Sequence, residues 1–241
     1  MSATNFLENV IDERAEMVQL TPAGLDRILS EGWRLLGRRL VRHNFSNWGR
    51  QLCRTIPLRV RLANFEPSKS QCQTLRRNAD LRVLNAPAQF DAERQRLFDL
   101  HCVRFREKQS TTLASFIHPE HPDRLPTEGR ELAVYLGDEL IACSFFHLGH
   151  QAVSGTYCVF NPNFGRRSLG AFTMLLELFI AQELGMEFYY HGYMHDLPSQ
   201  FDYKMNLAGL ECMDWESGAW SPMTRVPAKR WYAENGSPGI E

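Results

Sequence analysis

The junction VFNPNFGRRSLGAFTM, Val159 to Met174, holds residues whose types and spacing could do chemistry. An apolar segment ends at Asn161-Pro162, a loop carrying Gly165, Arg166 and Arg167 follows, and a helix is predicted to begin between Ser168 and Gly170. The free backbone N–H groups of such a helix start, and the positive end of its dipole, suit a phosphate, a carboxylate or the oxyanion of an acyl group in transfer. A second stretch, ANFEPSKSQCQTLRRNADL, sets Lys69, Arg76 and Arg77 beside Ser68 and Ser70. Arginine forks, ammonium groups and small hydroxyls are the donors that a row of phosphates takes. Further on, FYYHGYMH and FDYK offer Tyr190, His191, Gly192, Tyr193, Tyr203 and Lys204. His191 is a candidate general base. His191 with His195 has metal-ligand spacing only on a helix, which Gly192 and the aromatic run oppose, and His118 with His121 sits in a proline-rich loop, so no metal site is expected.

These groups need elements to hold them. TPAGLDRILSEG has a capping threonine, a proline at the first helical position and apolar residues at helical spacing, which predicts a short helix ending at Gly32. RRLVRHNFSNWGRQLCRT shows no clean period and reads as loop with short extended pieces. IPLRVRL alternates apolar and basic residues, a half-buried strand with Arg59 and Arg61 on its outer face. Ser68 then caps a basic helix. DLRVLN is a second strand, FDAERQRLFDLHCVRF an amphipathic helix, and STTLASFI a possible further one. Residues 131–163 contain three apolar runs parted by Gly-Asp and Gly-His turns, a meander of antiparallel strands. The helix from Ser168 is the strongest in the chain and stops at Gly185, before the aromatic strand FYYHGY. The order divides at Ala86-Pro87 into a basic α/β module, 1–85, and a larger unit, 86–241.

The 241 residues suffice for a core, and no apolar run approaches the length of a membrane span. MSATNFLENVIDERAEM lacks the order of a secretory signal, so a cytoplasmic location and no membrane partner are expected. Six cysteines without a C-x-x-C pair exclude a zinc ribbon or a thioredoxin-type motif. The formal charge of −1 conceals an asymmetry: thirteen Lys and Arg from Arg27 to Arg82 face only Glu31, Glu66 and Asp80 in that window. Twelve of the thirteen are arginine, which favours forked recognition of a polyanion over point-charge attraction.

The meander, loop and long helix resemble the Gcn5-related N-acetyltransferase architecture (GNAT), which implies an α+β fold with a mixed sheet and flanking helices behind the basic module. The usual tight glycine pattern is incomplete, with only Gly165 and Gly170 present. The whole string resembles more closely the arginyl-tRNA–protein transferases and bacterial aspartate/glutamate leucyltransferases. PLRVRLANFEPSKSQCQTLRRNADL is similar to that family's P-L-R-I-x-x-x-x-F-x-P-S-x-S-Q segment, and SGTYCVFNPN, SLGAF, GMEFYYHGY and FDYKMNL follow its later motifs in order, from about Leu20 to Cys212.

The resemblance implies transfer of an amino acid from charged tRNA to an amine of a protein or peptide, with aminoacyl-tRNA as co-substrate and no cofactor. It implies that Ser68, Lys69, Ser70, Arg76 and Arg77 hold tRNA. Backbone amides at Ser168 and Gly170 would stabilise charge, Tyr193 would pass a proton and Lys204 would contact the terminal adenosine or phosphate. Tyr157, Leu169, Tyr190, Gly192 and Tyr203 would line the substrate site. Arginine is the expected donor and leucine the alternative, on the strength of Glu177, Asp196 and Asp202 nearby. The family's cysteine group is missing from NWGRQLCRTIPLR, where Cys53 is out of register, so an atypical acceptor is expected. An acyl-CoA-dependent N-acyltransferase and a non-catalytic tRNA-binding protein are the competing readings.

Overall fold

The computed structural model describes residues 10–48, 51–105, 112–198 and 202–223. Three strands, β1 (Asp12–Glu16), β2 (Arg34–Leu36) and β3 (Arg39–His43), form a small antiparallel sheet in the order β1-β3-β2. The helix α1 (Pro22–Ser30) joins them, capped by Thr21, whose hydroxyl accepts the Gly24 amide at 3.0 Å. It buries Leu25 and Leu29 against Leu35, Leu40, Ala152 and Tyr190. Asp26 pins it by accepting the backbone N–H groups of His150 and Gln151.

Nine strands make the large sheet. Its path is β12 (Trp220–Pro222), β11 (Leu210–Met213), β5 (Gln51–Arg61), β10 (Phe188–His195), β9 (Ala152–Phe160), β8 (Glu139–Leu148), β7 (Gly129–Leu136) and β6 (Arg82–Pro87), with β4 (Phe45–Trp48) hairpinned onto β5. The segment expected as loop is therefore largely β3, β4 and the start of β5. Its short strands are divided between two sheets and share no single period, whereas IPLRVRL, expected to be half-buried with Arg59 outward, is buried from Pro57 to Val60, Arg59 included, because β5 lies inside the sheet between β10 and β11. For the same reason the sheet runs unbroken across the division expected at 85/86, which itself falls within β6. STTLASFI yields only a 3-10 turn at Leu113–Ser115.

The meander β7-β8-β9 is antiparallel as expected. The long helix α4 (Leu169–Glu183) carries the chain from β9 to β10, which run parallel. Nearly apolar around its circumference, it packs on one sheet face against Leu132, Val134, Phe146 and Val153, and the basic helix α2 (Lys69–Arg77) lies beside it. α1 covers the opposite face near β9 and β10, and α3 (Ala92–Cys102) covers it near β7 and β8. No described helix is long and apolar enough to cross a membrane.

Two buried arginines sit in this frame, each with a carboxylate. Arg59 binds Glu211 at 2.6 Å between the rings of Phe188 and Trp220, and Arg94 binds Glu131 and Asp91. Breaking a buried pair strands a charge, so Glu131→Ala should cost about 3–5 kcal/mol in urea unfolding. A loss below about 1 kcal/mol would mean that Asp91 compensates Arg94 alone.

Candidate active site at a strand fork

β9 and β10 pair only from Ala152↔Phe188 to Ser154↔Tyr190. Beyond that point each keeps its outer neighbour, β9 with β8 as far as Phe160 and β10 with β5 as far as His195, so the two strands diverge into a fork. Both carry one extra residue where they part. The register skips Thr156 on β9 and His191 on β10. Bulges of this kind end pairing and re-aim side chains, and they concentrate beside functional sites.

A fork leaves backbone carbonyls without ladder partners, which is costly when they are buried. Two cations reach them from opposite faces. From the α1 face, Arg34 donates to the Thr156 carbonyl at 3.2 Å; from the α4 face, Lys204 donates to the His191 carbonyl at 2.8 Å. Glycine makes the approach of Arg34 possible, because a Cβ on Gly192, whose φ is +93°, would lie 2.7 Å from the Arg34 Cζ. Gly155 does the same on β9, where a Cβ would stand 2.4 Å from the Tyr189 hydroxyl and 3.0 Å from Glu177 Oε2.

Beneath Gly155 lies a buried acid network. Glu177 of α4 accepts from the Ser144 hydroxyl at 2.5 Å and from the Tyr189 hydroxyl at 2.6 Å. Burial raises its pKa to about 7, although Ser144, Tyr189 and Lys204 all favour the carboxylate. Burial and the charge of Arg34 pull Lys204 down to about 7, against the opposite pull of Glu177. His191 stacks on Tyr189 with ring centroids 5.9 Å apart and lies against the backbone of Tyr189 and Lys204. Burial, then Lys204 and Arg34, hold it well below the ordinary histidine range, so the ring is neutral at pH 7.

The expected site residues divide among three places. Gly192 and Lys204 meet at the fork, and the Tyr203 hydroxyl lies 3.8 Å from where a Gly170 side chain would begin, which brings the start of α4 to the same side. Ser168 begins α4 in the left-handed region, φ 55°, exposed and with its hydroxyl free of the cap, while Leu169 is an apolar anchor with no exposed surface. Tyr157, Tyr190 and Tyr193 face away from α4. The extra residue Thr156 turns Tyr157 toward α3, where it stacks on Phe116 at 3.8 Å. The Tyr190 hydroxyl accepts from Arg59 at 3.1 Å, and the Tyr193 hydroxyl donates to the Gly32 carbonyl at 2.5 Å. Arg34, Gly155 and Glu177 were not singled out as fork residues by sequence spacing; the glycine between small residues in SGTYC was the one available signal.

The basic residues form an outer ridge. Ser68 spends its hydroxyl on the Gln71 amide in a capping box and sits 3.1 Å from the Ser70 hydroxyl, while Lys69 is exposed. At the other end of α2, Arg77 donates to the Arg166 carbonyl, Arg167 returns a bond to the Arg77 carbonyl and pairs with Asp80, and Asn78 ties the Arg167 carbonyl. Exposed Arg76, Arg77 and Arg166 are thereby gathered beside the start of α4. Arg166 was not foreseen as part of this cluster.

The acid network makes a pH prediction. Between about 4.5 and 7 the folded protein keeps a proton on Glu177 that the unfolded chain has released, so stability falls as pH rises through that window, by about 3 kcal/mol in all. Glu177→Gln should remove this slope when urea unfolding is compared at pH 5 and pH 7.5. Equal slopes in the two proteins would contradict a raised pKa.

Comparison with known proteins bears on this geometry. Residues 93–214 match the family described as arginine-tRNA-protein transferase, C terminus. An aspartate/glutamate leucyltransferase of Campylobacter jejuni is 24% identical over 78% of this chain and 79% of its own length. One from Marinobacter nauticus is 26% identical over 88% of this chain and 90% of its own. The solved structure of L-PGS from Bacillus licheniformis overlays with TM-score 0.46 at 11% identity, over 80% of this chain and 56% of that one, too loosely to decide the fold. The matched segment runs from α3 through the fork to β11 and spans just over half of the sequence, and the chain belongs to the arginine-tRNA-protein transferase family.

Proposed function

We propose that the protein transfers an aminoacyl group from aminoacyl-tRNA to an amine of a polypeptide, normally its N-terminus. The observation that carries this reading is the fork, an opening between two strands with a cation on either face, a proton-exchanging pair beside it and a basic ridge at its rim. An aminoacyl ester is already activated, so the enzyme mainly has to position a neutral amine and stabilise a developing oxyanion. The amine nitrogen bonds to the ester carbonyl carbon, the bond from that carbon to the ribose oxygen breaks, and the proton shed by nitrogen ends on the ribose oxygen. Lys204, with a pKa of about 7, exchanges protons at neutral pH and suits the carriage of that proton. The Ser168 N–H, expected to stabilise charge, donates to the Gly165 carbonyl at 3.1 Å, so the backbone N–H groups that follow it, those of Leu169 and Gly170, suit the terminal phosphate or the oxyanion.

The β9-α4-β10 crossover and its fork support the GNAT-like reading of the fold. Acyl-CoA is a poorer fit as donor: the left-handed position at the helix start is held by Ser168, not glycine, and the ridge of Arg76, Arg77 and Arg166 would be left without a ligand. For the aminoacyl group, leucine gains over the arginine first expected. Glu177 is engaged by Ser144 and Tyr189, and Asp196 accepts the Arg54 amide, so neither stands ready for a guanidinium. The names of the relatives point the same way. Tyr193, whose hydroxyl donates to the Gly32 carbonyl and whose pKa is raised by burial, ties the end of α1 to the sheet and fits the expected role of proton carrier less well than Lys204.

The test is a transfer assay with total tRNA charged with radioactive leucine or arginine and a panel of peptides differing at the first residue. Label is expected to move from leucyl-tRNA to a peptide amine; movement only from arginyl-tRNA would reverse the donor assignment, and none from either would end the transferase reading. The double variant Arg76→Glu, Arg77→Glu should weaken binding of charged tRNA and reduce the slope of log affinity against log salt by about 2, since each arginine neutralises one phosphate. Unchanged binding would remove the ridge from the tRNA interface.

A further inference from the structure

We propose that Gln71 is a positioning residue that couples tRNA docked on α2 to the placement of Lys204 in the fork. The assignment rests on the reading of α2 as the tRNA ridge and deepens it, naming a residue that touches neither reacting group.

A single side-chain amide makes the link. Gln71 stands in the first turn of α2, where its Oε1 accepts the Ser68 N–H at 2.7 Å and its Nε2 donates to the Asn206 carbonyl at 3.0 Å, 135 positions along the chain. Asn206 closes the 3-10 turn Asp202–Asn206, and the last carbonyls of a helix have no partner within it. Lys204 belongs to the same turn. The cap alone does not call for glutamine, because a glutamate at this third helical position accepts the same N–H and suits the positive helix start. What the amide adds is the donor that reaches Asn206.

The turn is held at several points. Met205 and Leu207 are buried in the same core cluster as Met174, Leu175 and Leu178 of α4, and Lys204 donates to the His191 carbonyl at 2.8 Å. The chain that follows has little play. The Gly209 carbonyl accepts the Arg61 N–H at 2.8 Å, and a Cβ on Gly209 would lie 2.6 Å from the Arg61 carbonyl. Rotation of the turn about its apolar anchors would draw Lys204 off the fork, and the bond from Gln71 opposes that rotation.

The other end of α2 is tied to the opposite side of the site. Arg77 donates to the Arg166 carbonyl at 3.0 Å, and Asn78, buried, donates to the Arg167 carbonyl at 2.9 Å, just ahead of the Leu169 and Gly170 amides. The nine residues of α2 make a rod of about 13 Å. That rod joins the start of α4 to the turn of Lys204, and it carries exposed Lys69, Arg76 and Arg77. An RNA backbone docked on it is thereby registered against both the amides that suit the oxyanion and the amine that suits the proton. An ångström of error between such groups costs about 100-fold in rate.

The test pairs Gln71→Glu, which keeps the cap and loses the donor, with Gln71→Met, which is neutral, close in length and loses both. Single-turnover transfer at saturating charged tRNA, to a peptide that wild-type protein accepts, should slow on the order of 10-fold in each variant. The affinity of Gln71→Met for charged tRNA should stay at the wild-type value. A loss confined to Gln71→Met assigns the effect to the cap, and a loss that vanishes at saturation assigns it to direct tRNA contact; either overturns the coupling. Hydrogen exchange gives a readout that needs no activity. Deacylated tRNA should slow exchange of the amides of residues 202–206 in wild-type protein and not in Gln71→Met. No slowing in the wild type, or slowing that survives in the variant, also overturns the assignment. If wild-type protein moves no label to any peptide while the exchange result holds, the transferase reading falls and the coupling stands; wild-type rates in both variants sink only the coupling.

Discussion

The structure depends on how two parallel strands are held apart. Strands gain stability by pairing, and β9 and β10 have begun to pair before they separate, so the fork persists only because something takes up the backbone groups it exposes. Thr156 and His191, the extra residues, are the two whose carbonyls receive Arg34 and Lys204. The outer ladders to β8 and β5 fix the strands on either side, and glycines at 155 and 192 admit Tyr189 with Glu177 and Arg34 where a methyl group would collide. The same two cations that stabilise the opening also charge it, which joins the fold to its chemistry without a separate device.

Electrostatics follow from that choice. Lys204 and Arg34 repel one another through the opening, and desolvation weakens the hold of Lys204 on its proton. Glu177 offsets part of the charge, but its own burial keeps it close to neutrality. The fork therefore holds two cations and a buried acid, two of these groups exchanging protons near neutral pH. Around it Arg59 with Glu211 and Arg94 with Glu131 are matched buried pairs, which hold β5 to β11 and α3 to β7.

The basic first third of the chain acquires a different meaning in three dimensions. Its own window contains three acids, but Glu13, Glu187 and Glu211 arrive from outside it to pair with Arg42, Arg61 and Arg59. Arg27, Arg38, Arg39, Arg54 and Arg82 stay exposed elsewhere, while Lys69, Arg76 and Arg77 stand on α2, where the loop before α4 adds Arg166. The cluster beside the start of α4 is thus narrower than the composition suggests. On the opposite face Arg59 is matched to Glu211, whereas Arg34 meets the Thr156 carbonyl beside Tyr193.

Local periodicity and capping chemistry were readable in the amino-acid string. Thr21 with Pro22 marked α1, Ser68 marked α2, the apolar circumference marked α4, and turn signals marked the meander, because each of these is decided by residues within a few positions of one another. The order of motifs also identified the family. The string left open what depends on distant pairing. β5 lacked a clean period over its first half, and its place between β10 and β11 is a contact across more than a hundred residues. Arg34 reaches Thr156 over 122 positions, and Glu177 meets Ser144 over 33. Register shifts at Thr156 and His191 leave no mark in a single sequence, since a bulge is defined by the partner strand. Burial likewise decided protonation, lowering Lys204 and raising Glu177 by removing water that no local pattern reports. The sequence by itself determined the capped helices, the meander and the kinship of the chain; the tertiary structure alone decided the remaining strands, where two of them part and which charges stand in the gap.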